Sequence, residues 1–332
     1  MLQLYVHRGA TEDYTGTHGN NTHMESLPKR ALRPRYWPNW IGMGLLWCLA
    51  QLPYRWATAI GRGAGRLLYP IARHRRQVAE RNIELCFPEL DLNGRNDLVK
   101  RNFVYTGKAF AEIALSWWAP RRRLQHLIEL SGTEHLEAAQ AKGRGVILLS
   151  CHFTSLEIMP PLIAPTIPAY AIYKKQRNPV VEYCMRSARD RSLLGAIPRD
   201  DIRGIMRALK ENRPVWYAAD QDYGRKHSVF VPFFGVETAT ITGLSRLAKM
   251  NNSPVVPFFF HSRADQRGYE AVFLPALENF PTDDPKADAA RINAIIEEAV
   301  RRYPDQYLWT HRRFKTRPNK SDPNPYNDRR KK

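Results

Sequence analysis

The chain has 332 residues, enough for one large core or two smaller ones, and 43% hydrophobic against 25% charged residues is a globular composition. Fifty-one Lys and Arg against 32 Asp and Glu leave a formal charge of +19, which calls for an anionic partner: nucleic acid, an anionic membrane surface, or acidic substrates and carriers. The four cysteines, Cys48, Cys86, Cys151 and Cys184, show no Cys-x2-Cys spacing, so neither a disulfide framework nor a zinc site follows and reduced thiols are expected.

Residues 1–23 are polar and lack the charged and apolar regions of a signal peptide. With the few residues after them they read as a disordered extension, 1–27, residues 1–23 alternatively as an artefact of the assigned start site, and Met24 opens the next segment. From Tyr36 to Tyr54 no residue is charged, and Arg35 and Arg55 bound the stretch. Nineteen residues at about 1.5 Å each approach the thickness of a bilayer core, and Trp37, Trp40, Trp47 and Tyr54 are aromatic anchors of the interfacial kind. Residues 28–60 are therefore expected to anchor the chain in a membrane, as a single span or as a helix lying in the interface. The denser cations after the segment favour that side as cytoplasmic.

Gly61-Arg-Gly-Ala-Gly65 lacks the spacing and the preceding strand of a nucleotide loop, so close packing of small residues is the better reading. Amphipathic periodicity predicts helices over 75–86, 97–118 and 133–142. The apolar run Val146–Leu149, bounded by Gly143 and Gly145, then reads as a buried strand feeding a polar turn with His152 and a helix with Glu157. This is the βα unit of an open α/β sheet, whose ligands sit at the carboxyl ends of strands. On one continuous helix His152 and Glu157 would point about 140° apart. With His152 in the turn, Glu157 could reach back, accept from Nδ1–H and leave Nε2 free as a general base. A turn histidine beside a solvated glutamate is the bland alternative. Cys151 invites a thiol nucleophile, although adjacent side chains usually diverge.

Further strands are expected over 169–173, 215–219, 255–260 and 271–274, with helices over 179–194, 202–212, 240–250 and 287–303. Lys174-Lys-Gln-Arg-Asn178 follows a strand end and would face the crevice of His152 in a parallel sheet. Asp220-Gln-Asp222 follows another, with no companion cluster to suggest a metal. Pro254 and Pro257 place their strand near an edge or a bulge. Residues 312–332 hold nine Lys and Arg against two Asp, which predicts a solvated or membrane-touching arm.

His152-Phe-Thr-Ser-Leu-Glu157 resembles the His-x4-Asp/Glu motif of the lysophospholipid acyltransferase superfamily. Tyr36 to Trp47, Asp220 to Gly235, Ser253 to Pro257 and Trp309 to Lys315, in that order, narrow the resemblance to the lauroyl/myristoyl acyltransferases of lipid A biosynthesis. The resemblance implies a mostly parallel or mixed central sheet flanked by helices, with an N-terminal membrane helix at 28–60, an acyltransferase domain at 61–318 and a basic tail at 319–332. It implies transfer of a lauroyl or, next, a myristoyl chain from acyl carrier protein to a hydroxyl of Kdo2-lipid IVA, at the cytoplasmic face of a Gram-negative inner membrane. His152 and Glu157 are the implied catalytic pair, Arg177, Arg199 and Asp220 the implied substrate-binding residues, and no cofactor, metal or nucleic acid is implied. The Pro-Glu-Gly of glycerolipid enzymes is absent from Phe230 to Gly235, which argues against a glycerol phosphate acceptor. A lipid hydrolase using the same histidine and a basic nucleic-acid-binding protein are the rival readings.

Overall fold

Val146–Ser150, buried at every position, is the centre of the computed structural model, which describes residues 27–327. The expected extension lies outside the described residues except for Leu27, as do the last five residues of the basic tail. In chain order α1 (Trp37–Gln51), α2 (Tyr54–Ile71), α3 (Arg73–Cys86) and α4 (Leu92–Trp118) precede β1 (Ile128–Ser131), α5 (Thr133–Gln140) and β2 (Val146–Ser150). Next come α6 (Met159–Ile163), β3 (Tyr170–Tyr173), α7 (Pro179–Asp190), β4 (Gly195–Pro198), α8 (Ile202–Lys210) and β5 (Pro214–Ala218). A hairpin of β6 (Ser228–Phe233) and β7 (Val236–Ile241) leads to α9 (Gly243–Asn251), β8 (Val255–Ser262), β9 (Tyr269–Phe273) and α10 (Pro285–Arg302).

The main sheet has the order β1-β9-β8-β2-β5-β3-β4. From β8 to β4 the neighbours are parallel, while β9 runs against β8 and carries β1 with it, so the sheet is mixed. Strands buried on both faces read as continuous apolar runs, which is why Val146-Ile-Leu-Leu149 shows no alternation. Ile147, Leu149 and Val215 pack with Ile83, Ile205, Leu247 and Ile296 of α3, α8, α9 and α10. Val146, Leu148, Trp216 and Val256 pack on the other face with Ala111, Leu136 and Leu162 of α4, α5 and α6. Each such aliphatic side chain contributes about 1.5–3 kcal/mol when fully buried. Gly145 starts β2 at φ +62°, where a Cβ would meet the Leu209 carbonyl at 2.5 Å, so the entry into the central strand requires glycine.

Small residues bring α2 against α4. A Cβ on Gly107 would stand 2.3 Å from the Gly61 carbonyl and from the Gly65 nitrogen. The reading of Gly61–Gly65 as a packing motif is therefore borne out.

The expected membrane helix takes a different form. Its uncharged stretch breaks at Leu52-Pro53, giving α1 fifteen residues and starting α2 at Tyr54. Proline suits the entrance of α2 and lacks the N–H to continue α1. Among the described residues no helix is long and apolar enough to cross a membrane. Both helices nevertheless leave large apolar side chains exposed: Trp37, Ile41, Leu45 and Trp47 on α1, and Trp56, Ile60, Leu67 and Ile71 on α2.

Three further expectations change. Strand β8 is interior rather than at an edge: it pairs with β2 up to Pro257 and with β9 from Phe258, so the proline sits where the strand exchanges partners. Of the arm expected over 312–332, the described part, residues 312–327, is packed rather than solvated: Phe314 is fully buried, Arg313 donates to the Ala239 carbonyl, and the Tyr326 hydroxyl donates to Asn82. The helix expected over 240–250 starts later, at Gly243, because residues 228–241 form a hairpin and Thr240 lies in β7.

Gly107→Ala is expected to lower unfolding stability by about 1–3 kcal/mol through overpacking at the helix crossing. Gly63→Ala, where a Cβ meets nothing within 4 Å, should leave stability unchanged or raise it by roughly 0.5–1 kcal/mol. Urea unfolding of the two variants side by side checks the pair.

Candidate active site

Register creates the site. Ser150 of β2 pairs with Ala218 of β5, and the Ala219 N–H donates to the Ser150 carbonyl at 3.2 Å. Two residues past each strand end therefore stand side by side, and these are His152 and Asp220. Asp220 is buried; its Oδ1 lies 2.6 Å from His152 Nδ1, and its Oδ2 accepts the His152 backbone N–H at 3.0 Å. The carboxylate fixes both the ring and the peptide that carries it, with Nδ1–H as donor and Nε2 left open. Burial pushes the Asp220 carboxyl up, but the charge and hydrogen bonds of His152, with a further bond from the Tyr307 hydroxyl, hold it well below the usual carboxylate range.

Glu157 does not meet the imidazole. It sits in a 3-10 turn, Thr154–Ile158, and its carboxylate is taken by Arg189 of α7, at 3.1 Å to Nε and 2.5 Å to Nη2. Trp117 of α4 donates to the same group at 2.9 Å. The sequence reading paired His152 with a neighbour five residues on. The fold supplies a partner 68 residues on, because adjacent parallel strands bring their ends together more directly than one tight turn can fold back. Arg189 was missed as well. Its signal was a cation one turn beyond Met185 on the inward face of α7, where Val180, Met185 and Ala188 are buried.

His152 lines a cavity of about 810 Å³ at the carboxyl edge of the sheet. Ile172, Ile205, Trp216, Ile241, Leu247 and Met250 give it apolar walls. Lys174, Arg189, Arg199, Lys226 and Arg246 also line it, against a single carboxylate, Asp200, among the described lining residues. Arg199 follows β4, its guanidinium 4.8 Å from the Tyr223 ring centroid. Arg177 is exposed on the loop after β3 and is not among the lining residues, although Lys174 and Gln176 of the same loop are. Cys151 faces the core, where burial pushes its thiol well up, so it is no nucleophile. Asp222 accepts from Gly224 N–H and from both Thr316 N–H and Oγ1, which ties the loop after β5 to the C-terminal segment.

That segment also closes the turn from the other side. Phe153 bridges to Tyr307, and the Leu308 N–H donates to the His152 carbonyl at 3.0 Å. Nearby, His311 accepts from the Asp222 N–H at 3.2 Å, and burial pushes it down to about 4.

The family model described as bacterial lipid A biosynthesis acyltransferase matches residues 24–316. The chain belongs to this family. As a lipid A acyltransferase family member it is an acyltransferase enzyme, and similar curated proteins fit that placement. A lipid A biosynthesis lauroyltransferase of Escherichia coli is 39% identical over 299 residues, covering 89% of this chain and 98% of the relative. A palmitoleoyltransferase of the same organism is also 39% identical, over 288 residues, 86% of this chain and 94% of the relative. A myristoyltransferase is 28% identical over 300 residues, 90% and 93% of the two chains.

Two groups near the site predict the acid behaviour of this acyltransferase. His311 is held below its ordinary value near 6.5, so its neutral form contributes stability above that pH and the contribution is lost as pH falls from about 6.5 to about 4. Asp220 is held below an unfolded value near 3.9, so its contribution is lost only below about pH 4. In urea unfolding against pH, His311→Gln should flatten the first segment of the curve and Asp220→Asn the second. Unchanged slopes in either variant would contradict the assignment.

Proposed function

We propose that this protein transfers a fatty acyl chain, lauroyl in first place and myristoyl next, from the thioester of acyl carrier protein to a hydroxyl of the lipid A precursor Kdo2-lipid IVA. The observation that carries the reading is an Asp220-ordered imidazole opening into a cavity with apolar walls and a cationic mouth, in a chain of the lipid A acyltransferase family. His152 Nε2 takes the proton of the acceptor hydroxyl while its oxygen bonds to the thioester carbon. The tetrahedral intermediate collapses, the carbon–sulfur bond breaks, and the thiolate leaves with the proton returned by the imidazolium. Asp220 stabilises the imidazolium and keeps the ring in the tautomer that exposes Nε2.

Glu157 acts through position rather than by touching the ring: with Arg189 and Trp117 it pins the turn that carries His152. Phosphates of the acceptor meet Arg199, Lys226 and Arg246, the two guanidinium forks suited to two oxygens at once and the ammonium to one. In this reading Arg177 contributes long-range attraction to the acidic carrier protein from the exposed loop. The oxyanion takes donors from the amino end of α9, where Gly243 lines the cavity. Neither a Gly-x-Ser-x-Gly elbow in the sequence nor a thiol among the described residues that line the cavity supports an acyl-enzyme, so transfer is direct.

The exposed apolar side chains of α1 and α2, flanked by Arg55, Arg62 and Arg66, suit a helix pair lying in the interface of the inner membrane on its cytoplasmic side. Both helices pack on α4, which borders the catalytic turn.

Detergent-solubilised protein, given a panel of acyl carrier thioesters and Kdo2-lipid IVA, should yield one added acyl mass. The yield should fall roughly 10²–10⁴-fold in His152→Ala and Asp220→Asn, and less in Glu157→Gln. Free fatty acid with no acylated lipid would instead support a hydrolase. In vesicle sedimentation, Trp56→Gln/Leu67→Gln should reduce binding while leaving transfer in detergent intact. Unchanged sedimentation would remove the interfacial reading.

A further inference from the structure

Beneath the His152 turn lies a closed polar cluster that the reaction steps above leave unused. Lys108 and Glu112, one turn apart on α4, are 0% and 1% exposed, with Nζ 3.1 Å from Oε1. Lys108 Nζ donates to the Ser262 hydroxyl at 2.5 Å. Glu112 Oε1 accepts from the Ser155 hydroxyl at 3.0 Å and from the Tyr269 hydroxyl at 2.7 Å. Ser155 also lies 3.1 Å from the Ser262 hydroxyl. The cluster thus joins α4, β8 and β9 to the turn Thr154–Ile158, three residues beyond His152.

A buried ion pair is weak evidence of stability, since desolvation of both charges offsets their attraction and apolar replacements are often neutral or better. What an apolar pair cannot do is accept a directed hydrogen bond from Ser155. One carboxylate oxygen here serves three donors, Ser155 of the turn among them, while Oε2 has no partner among the described residues, so the hold on the group comes through Oε1 alone. The same helix reaches the loop at two other points. Trp117 holds Glu157, and Asn102 donates to the carbonyls of Asp305 and Tyr307, whose segment is bonded to His152 and Phe153.

We propose that the Lys108–Glu112 pair is a positioning device for catalysis, using Ser155 to hold the His152 turn in register with Asp220. Lys108, Glu112 and Ser155 are positioning residues, and none of them touches the reacting atoms. A displacement of about 1 Å at a base costs roughly 10²-fold in rate, so small slack in this turn is enough to be seen.

The decisive variants are Ser155→Ala and the double replacement Lys108→Met/Glu112→Leu, beside each single replacement. The singles strand a buried charge and should unfold at much lower urea, whereas the double should recover most of the midpoint. A purely structural role predicts that activity returns with stability. The positioning role predicts that the folded double variant and Ser155→Ala keep KM within about twofold and lose at least about tenfold in kcat. The turnover arm rests on the proposed function. Hydrogen exchange does not: peptides covering 152–158 should exchange about tenfold faster in both variants while those of β2 and α4 stay protected. Wild-type exchange in that turn in the folded double variant would overturn the proposal whatever the turnover, and so would wild-type kcat in it.

Discussion

The contact of 2.6 Å between Asp220 and His152 is the constraint to which the rest of the structure answers. It exists only while β2 and β5 keep their register, because neither residue belongs to the strand that places it. A slip of one residue would send every side chain of β2 to the opposite face and separate the two groups. Four apolar residues buried on the two faces and the glycine-dependent entry at Gly145 make such a slip expensive. The core of this protein is in that sense a device for holding two side chains that lie just outside it.

Charge is distributed by the same logic. The surplus of +19 is not a uniform coat, for part of it gathers around one cavity whose walls are otherwise apolar. Arg189 is the exception among those cations, being committed to Glu157. The carboxylate of the His-x4-Glu motif thus faces an arginine, and that of Asp220 faces the imidazole. These two carboxylates thus have separate basic counterparts, which removes competition between them for the histidine. Helix α4 underlies this division. Asn102, Glu112 and Trp117, spread along its length, reach toward the catalytic turn or the segment bonded to it.

Much of the architecture was legible because buried strands and amphipathic helices announce themselves by period. β2, β3, β5, β8 and β9 and most of the long helices follow that signal closely. β1 and β4, four residues each, carry too little pattern to stand out, and β4 falls between the helices expected over 179–194 and 202–212. Pro257 misled because a proline rule for sheet interiors assumes one partner along each side, and β8 changes partners at that residue. His152 and Asp220 were both visible as residues at strand ends, yet their pairing was not, since sequence spacing ranks nearby partners first while a parallel sheet ranks by strand order. The uncharged run from Tyr36 to Tyr54 was read from its length, its aromatic anchors and its basic flanks, and Pro53 divides it.

The clamp on the His152 turn comes from the far end of the chain. Tyr307 and Leu308 supply a bridge and a hydrogen bond to it, and Asn82 in turn holds the carbonyls of Trp309 and His311. The turn therefore takes its last partners from residues that follow every strand of the central sheet: the sheet by itself is a fold without a finished catalyst, and the base is locked into place only by the segment that comes after it.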